Sequence, residues 1–216
     1  MNKDDLKKLT GIYLILDRKL AKEKSYIEII DSVSKSGVKI VQLREKNIST
    51  REYLEIAFKV KEACEKNGII FIVNDRVDIA YASNADGVHL GQDDLPPKYA
   101  REILGKNKII GMSAGNKKEL EYALNQDIDY ISPGPVFSTS TKPDAGNAVG
   151  IDFVNYVLSN TEKPVIPIGG INSDNVKYLS NIGINKVAVI SAILSSEDLQ
   201  KATEKLFLAL CKKNWA

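Results

Sequence analysis

Short apolar runs rich in Ile and Val recur along the chain, and a longer, charged stretch with helical spacing follows each of them. Runs at 11–17, 39–44, 69–74, 87–90, 108–112, 130–133, 164–168 and 186–190 predict strands. Helices are predicted over about 25–36, 76–83, 117–126, 151–159, 173–182 and 198–212. Two more are marked by their starts. Ser49-Thr50-Arg51-Glu52 has the form of a capping box opening a helix to about Asn67, and Pro96 or Pro97 begins another. Gly37, Gly68 and Gly183 fall where a helix would end in a left-handed residue.

Apolar runs that do not alternate, separated by helices, indicate parallel strands covered on both faces. Eight such strand–helix units in 216 residues predict α/β architecture of a particular kind, a single (β/α)8 TIM barrel spanning residues 1–216 as one domain. An open doubly wound sheet is the alternative, but no Gly-x-Gly-x-x-Gly follows the first strand.

Composition narrows the function classes. Thirty basic residues are mixed with 28 acidic ones for a net charge of +2, so no basic stripe suggests a nucleic-acid partner. Cys64 and Cys211 lie far apart, have no metal-ligand spacing and are read as reduced packing residues of a cytoplasmic protein. The N-terminal residues are polar with no apolar segment behind them, and no run approaches a membrane span, so neither a signal peptide nor a membrane partner is expected. A homo-oligomer is compatible with this reading, but the sequence sets no subunit count.

In such a barrel the residues just past the strand C-termini converge on one face, where catalysis occurs. Those positions hold Gln42, Arg44 and Lys46; Asn74 and Asp75; Gln92, Asp93 and Asp94; Ser113; Thr139, Ser140, Thr141 and Lys142; Gly169 and Gly170; and Ser191. Gln42, Arg44 and Lys46 alternate and point the same way, which with Lys142 across the mouth suits a polyanion. The two cations could instead pair with Glu45 and helix carboxylates. Asp75 and Asp94 facing a polyphosphate suit Mg2+, although Asp75 could equally cap the helix at Arg76. The hydroxyl run at 138–141 suits an anion, or is a Ser/Thr-rich surface loop. Gly169-Gly170 and the 188–192 segment occupy the place where barrels commonly bind a monophosphate, and Gly170 would let the backbone approach it closely. Otherwise they are ordinary turns. The single histidine, His89, lies within a strand and reads as a core or supporting residue. Tyr13 and Asp17 could reach the mouth, but nothing ranks them. Together these residues describe two anion pockets without a clear acid–base pair, which suits departure of a diphosphate more than proton transfer.

The motifs Gln42-Leu43-Arg44-Glu45-Lys46, Asn74-Asp75-Arg76, Asp86-Gly87-Val88-His89-Leu90-Gly91-Gln92, Gly134-Pro135-Val136-Phe137 leading to Thr139-Ser140-Thr141-Lys142, Gly169-Gly170-Ile171 and Val189-Ile190-Ser191-Ala192-Ile193 closely resemble the thiamine phosphate synthase family, in order over nearly the whole chain. The resemblance implies a barrel that joins a pyrimidine diphosphate and a thiazole phosphate, both small molecules, by a dissociative substitution with loss of pyrophosphate. It implies that Gln42, Arg44, Lys46, Asn74, Ser113 and Lys142 hold the diphosphate, with Lys142, Arg44, Lys46 and Ser113 acting on the leaving group. It assigns Mg2+ to Asp75 and Asp94, and the thiazole phosphate to Thr139, Ser140, Thr141, Gly170, Ile190 and Ser191. Three positions depart from the family pattern: Ser138 where proline is frequent, Gly115 where a histidine follows the serine, and Lys186 where glycine is usual. The alternatives are a thiazole tautomerase of the same fold, which uses a histidine base, and a regulator that only binds thiamine phosphates.

Overall fold

A computed structural model describes residues 5–141 and 146–212. Seven strands form one parallel sheet: β1 (Gly11–Asp17), β2 (Val38–Arg44), β3 (Ile70–Asn74), β4 (Gly87–Leu90), β5 (Ile109–Ala114), β6 (Tyr130–Pro133) and β7 (Lys186–Val189). Their order is β6-β5-β4-β3-β2-β1-β7. The fold is thus α/β and TIM-barrel-like, but the expected closed ring of eight regular strands is not formed. Segment 164–168 makes only isolated bridges, Val165 to Ile131 of β6 and Ile168 to Ala188 of β7. Pro164 and Pro167 are the physical reason. Neither has an N–H to donate, so two of five residues can only accept in a ladder. The segment still lies between the two sheet edges, with the Ile166 amide donating to the Ile131 carbonyl at 2.9 Å and the Ala188 amide to that of Pro167 at 2.9 Å.

The helices follow the sequence signals closely. Ser49 caps Thr50–Lys66, its hydroxyl accepting from the Glu52 amide at 3.1 Å. The full reciprocal capping box belongs instead to Ser25 and Glu28, at the start of Tyr26–Val33. Gly37, Gly68 and Gly183 all have positive φ, as their places at helix ends require. Three short helices, Asp5–Lys8, Arg18–Ala21 and Ser191–Leu194, carry too few periodic residues to be read from sequence. Among the described residues no helix is long and apolar enough to cross a membrane. Cys64 is buried and Cys211 exposed, and neither forms a disulfide.

Neighbouring residues in a parallel register face the same side of the sheet, so one interior layer can be followed across strands. Asn74 pairs with His89, His89 with Gly111, and Gly111 with Tyr130. Gly111 leaves a gap in that layer, and a Cβ there would fall on the Tyr130 ring. Through the gap Tyr130 stacks on His89 with ring centroids 5.5 Å apart. Lys186 opens β7 almost fully buried, and its ammonium group donates to Asn185 Oδ1 at 2.8 Å. Burial pushes that amine below the ordinary lysine value.

The gap at Gly111 predicts that Gly111→Ala overpacks the interior and destabilises the protein by about 1–3 kcal/mol. Urea denaturation should show a lower midpoint at unchanged slope. An unchanged midpoint would mean that the Tyr130 ring moves aside at no cost.

Candidate active site

The C-terminal ends of the strands open into a cavity of about 670 Å3. Its wall includes Arg44, Lys46, Asn74, Asp75, Asp94 and Ser113 from one side of the sheet. Thr139, Thr141, Gly170, Ile190 and Ser191 line it from the other. One space therefore gathers most of the positions singled out by sequence. Ser140 is exposed beside it and does not line it. Lys142 lies outside the described residues.

The alternation along 42–46 holds, but the three side chains reach different depths. Gln42 is almost fully buried beneath the cavity and does not line it; its Nε2 donates to the Tyr13 hydroxyl at 2.6 Å. Arg44 Nη1 meets Asp17 Oδ2 at 2.8 Å, and Asp17 Oδ1 also caps Arg18–Ala21 by accepting from the Lys19 amide. Lys46 Nζ meets Asp75 Oδ2 at 2.6 Å. Glu45 points to the helix side, where it accepts from Arg18 Nε at 3.2 Å and from the Tyr26 hydroxyl at 2.8 Å. Both cations thus pair with carboxylates at strand ends, and neither pairs with Glu45.

Asp75 does not cap a helix. The helix Val77–Ala82 has Arg76 at its N-cap and no side-chain capping bond. Asp75 instead has a φ of 62°, a left-handed conformation that is uncommon outside glycine. Its carboxyl group is turned toward Lys46 and is hydrogen-bonded to Asp94. Burial disfavours the Asp75 charge, but the bonds from Lys46 and Asp94 outweigh it and hold this carboxyl below the usual range. Asp94 shifts the other way. Burial raises it, and the Asp75 carboxylate raises it further, against the lowering effect of the Gly91 amide that donates to Asp94 Oδ2 at 2.7 Å. Asp75 is therefore the stronger acid of the two, and a proton taken up by the pair goes to Asp94. Two carboxyl groups placed to share a proton can instead share a cation. Among the described residues no group of three or more His, Cys, Asp or Glu side chains is gathered around a metal position, but Mg2+ needs only one or two carboxylates when phosphate and water complete its shell.

On the opposite wall, Thr141 Oγ1 donates to Ser191 Oγ at 3.1 Å, tying the loop after β6 to the end of β7. The Phe137 amide donates to the Gly169 carbonyl at 3.0 Å, and Asn175 Nδ2 holds the Gly170 carbonyl at 2.8 Å. Gly170 has φ 65°, and a Cβ there would lie 2.7 Å from the Ser138 carbonyl oxygen and 2.8 Å from Phe137 Cβ. Glycine is thus required here by the protein's own backbone, apart from any approach of a phosphate. Its missing side chain makes room for the 137–138 backbone.

The sequence reading underrated the interior. His89 lines the cavity, with Nδ1 2.9 Å from the Tyr130 hydroxyl and Nε2 2.9 Å from Ser113 Oγ. Tyr130 in turn lies 3.0 Å from the Tyr13 hydroxyl. Strand parity was the available signal, since His89 alternates with the apolar Val88 and Leu90 along β4. Gln92 also reaches the site, its Nε2 donating to the Ser113 carbonyl at 2.7 Å. At Gly115 the amide is held by Glu119 Oε2 at 2.6 Å, so the departure there places a helix carboxylate at the wall.

A parallel α/β barrel-like sheet with paired cations, paired acids and a hydroxyl-bearing loop at its strand C-termini is the framework of an enzyme acting on phosphorylated small molecules. Comparison with known proteins makes the assignment specific. A family profile described as thiamine monophosphate synthase matches residues 12–193, and the chain belongs to that family. It is similar to thiamine-phosphate synthase of Fusobacterium nucleatum, 46% identical over 195 residues, covering 90% of this chain and 94% of that one. The protein of the same name from Alkaliphilus oremlandii is 44% identical over 196 residues, with coverage of 91% and 93%. Among solved structures, thiamine phosphate pyrophosphorylase from Pyrococcus furiosus superimposes with a TM-score of 0.86 at 36% identity, over 95% of this chain and 97% of that one.

The carboxyl pair yields a stability prediction for the ligand-free, chelator-treated protein. Asp94 has a raised folded value, so the native state holds a proton that the unfolded chain has already released. Stability therefore falls as pH rises from the ordinary carboxyl value through the raised one. Asp94→Asn removes that penalty. It should raise the thermal midpoint at neutral pH by about 1–2 °C, roughly 0.5 kcal/mol for a partly exposed group. The gain should disappear below the ordinary carboxyl range. A midpoint that is lower at neutral pH would show that the pair stabilises the free protein.

Proposed function

We propose that this chain joins 4-amino-2-methyl-5-(diphosphooxymethyl)pyrimidine to 4-methyl-5-(2-phosphooxyethyl)thiazole, forming thiamine phosphate and releasing pyrophosphate. The carrying observation is that a single cavity is lined on one side by Arg44, Lys46, Asn74, Asp75, Asp94 and Ser113 and on the other by Thr139, Thr141, Gly170, Ile190 and Ser191. The first group suits the diphosphate and the second the thiazole phosphate. Gln42 acts from below the first group and Ser140 from the rim of the second, and Lys142 is assigned to the diphosphate by its place in the sequence.

The chemistry asks little of a base. The bond between the pyrimidine methylene carbon and the diphosphate oxygen breaks, and its electron pair leaves with pyrophosphate. The thiazole nitrogen then donates its lone pair to the cationic carbon. Arg44, Lys46 and Lys142 offset the charge that develops on the leaving oxygens, while Ser113 and Asn74 hold them in place. Mg2+, taken between Asp75 and Asp94, would supply further neutralisation of the diphosphate. The fit is supported by charge as well as position. The cavity wall carries Arg44 and Lys46 against Asp75, Asp93, Asp94 and Glu119, too negative among the described residues for a polyanion on its own. The walls are arranged for binding and charge compensation in one domain, and the setting we propose is the cytoplasm. A tautomerase would need an available base, whereas both ring nitrogens of the single histidine are engaged.

Incubation with both substrates and Mg2+ should yield thiamine phosphate and one equivalent of pyrophosphate. Absence of product with either substrate bound would favour the regulatory reading. Excess EDTA should abolish turnover and added Mg2+ restore it, whereas full activity in chelator would remove the metal from Asp75 and Asp94. Lys142→Ala should lower kcat by roughly two to three powers of ten, the usual loss for one preorganised electrostatic donor. A raised KM at unchanged kcat would confine Lys142 to substrate binding.

A further inference from the structure

A hydrogen-bonded chain runs from the interior to the cavity wall through Gln42, Tyr13, Tyr130, His89 and Ser113. Atom types alone fix the direction of its first bond. The Gln42 amide nitrogen can only donate, and it donates to the Tyr13 oxygen at 2.6 Å. That direction settles the rest. Were Tyr130 also to donate to Tyr13, the Tyr13 hydrogen would be buried with no acceptor, a costly state. Tyr13 therefore donates to Tyr130 across 3.0 Å. Tyr130 spends its one hydrogen on His89 Nδ1 at 2.9 Å. With Nδ1 accepting, the ring hydrogen lies on Nε2 and is donated to Ser113 Oγ at 2.9 Å. The Ser113 hydroxyl hydrogen is left for the cavity that Ser113 lines.

The orientation of Gln42 has its own physical basis. Its Oε1 is buried without a partner. As found, one Nε2 hydrogen and the carbonyl lack partners; turning the amide over would satisfy the carbonyl but leave both hydrogens buried without acceptors, and an orphaned N–H is the rarer and costlier state. Burial also pushes the Tyr13 and Tyr130 phenols above the ordinary tyrosine value, so both retain the hydrogens that the chain passes along.

We propose that Gln42, Tyr13 and Tyr130 are positioning residues that hold His89 in its Nε2–H tautomer and thereby present Ser113 to the cavity as a hydrogen-bond donor. A donor at that point matches an anionic oxygen and is mismatched to an amine or amide N–H. The purpose of the chain rests on the reading above that Ser113 meets the diphosphate; its polarity does not.

The chain has one histidine, so histidine labelled with 15N gives one pair of ring signals. Long-range 1H–15N correlation on the ligand-free protein at about pH 8, above the ordinary histidine value, should show a pyrrole-type Nε2 and a pyridine-type Nδ1. The reverse pattern overturns the proposal. Gln42→Met removes the donor that sets the direction, so both signals should move toward the average of the two tautomers. An unmoved pattern in a folded Gln42→Met protein overturns it as well. Turnover supplies the second test. Tyr13→Phe breaks the chain at a residue that does not line the cavity and should lower kcat about fivefold, the worth of one neutral hydrogen bond. In a Ser113→Ala background the same change should have no further effect, whereas a purely structural loss would appear equally in both. Equal losses overturn the coupling. Full turnover by Ser113→Ala alone would remove Ser113 from the diphosphate reading while leaving the tautomer result to stand on its own.

Discussion

Tyr13 and Tyr130 meet hydroxyl to hydroxyl across the interior, from strands β1 and β6 that lie five places apart in the sheet order. A buried phenol without a partner is expensive, so the pair can be retained only if the sheet curls far enough to bring them together. The curl in turn needs an interior narrow enough for contact and open enough for two rings. Gly111 supplies the opening, beside a layer otherwise built of side chains. With the two rings fixed, Gln42 is held beneath them and His89 beside them, and Ser113 inherits its position from His89. The polar floor of the cavity thus depends on a contact made below it.

Most of the architecture could be read from hydrophobic pattern because parallel strands buried on both faces leave unmistakable apolar runs. Strands at 87–90 and 130–133 agree with the observed Gly87–Leu90 and Tyr130–Pro133 to the residue. The pattern failed at 164–168 because it records burial but not hydrogen-bonding capacity. Val165 and Ile166 are as buried as any strand residue, yet the prolines flanking them deny the ladder its donors. Short helices such as Ser191–Leu194 escaped for a different reason, since a single turn has no period to detect.

At the site, the residues past strand ends could be found because the fold places them and their chemistry is conspicuous. What sequence could not supply was pairing. Nothing in the run 42–46 tells that Arg44 turns to Asp17 and Lys46 to Asp75, because those partners come from other strands. Gly170 shows the same limit. A glycine says that space or a left-handed turn is needed, but only the approach of Phe137 and Ser138 shows which neighbour uses the space. His89 looked inert because one histidine without a nearby acid in sequence suggests no mechanism, whereas its partners Tyr130 and Ser113 are 41 and 24 residues away.

The pairing of Arg44 with Asp17 and of Lys46 with Asp75 also bears on how quickly the site captures its ligands. A cleft that speeds association projects a field well beyond its walls. Here each described cation is matched by a carboxylate within 3 Å, so the two fields largely cancel over the distance at which a diffusing molecule first senses the protein. On the binding mode proposed above, attraction begins only at contact, when phosphate oxygens displace the carboxylates from their cations. Encounter then gains little from electrostatic steering by these cations. Discrimination falls to the exchange of partners inside the cavity, and so to how long a ligand stays more than to how often it arrives.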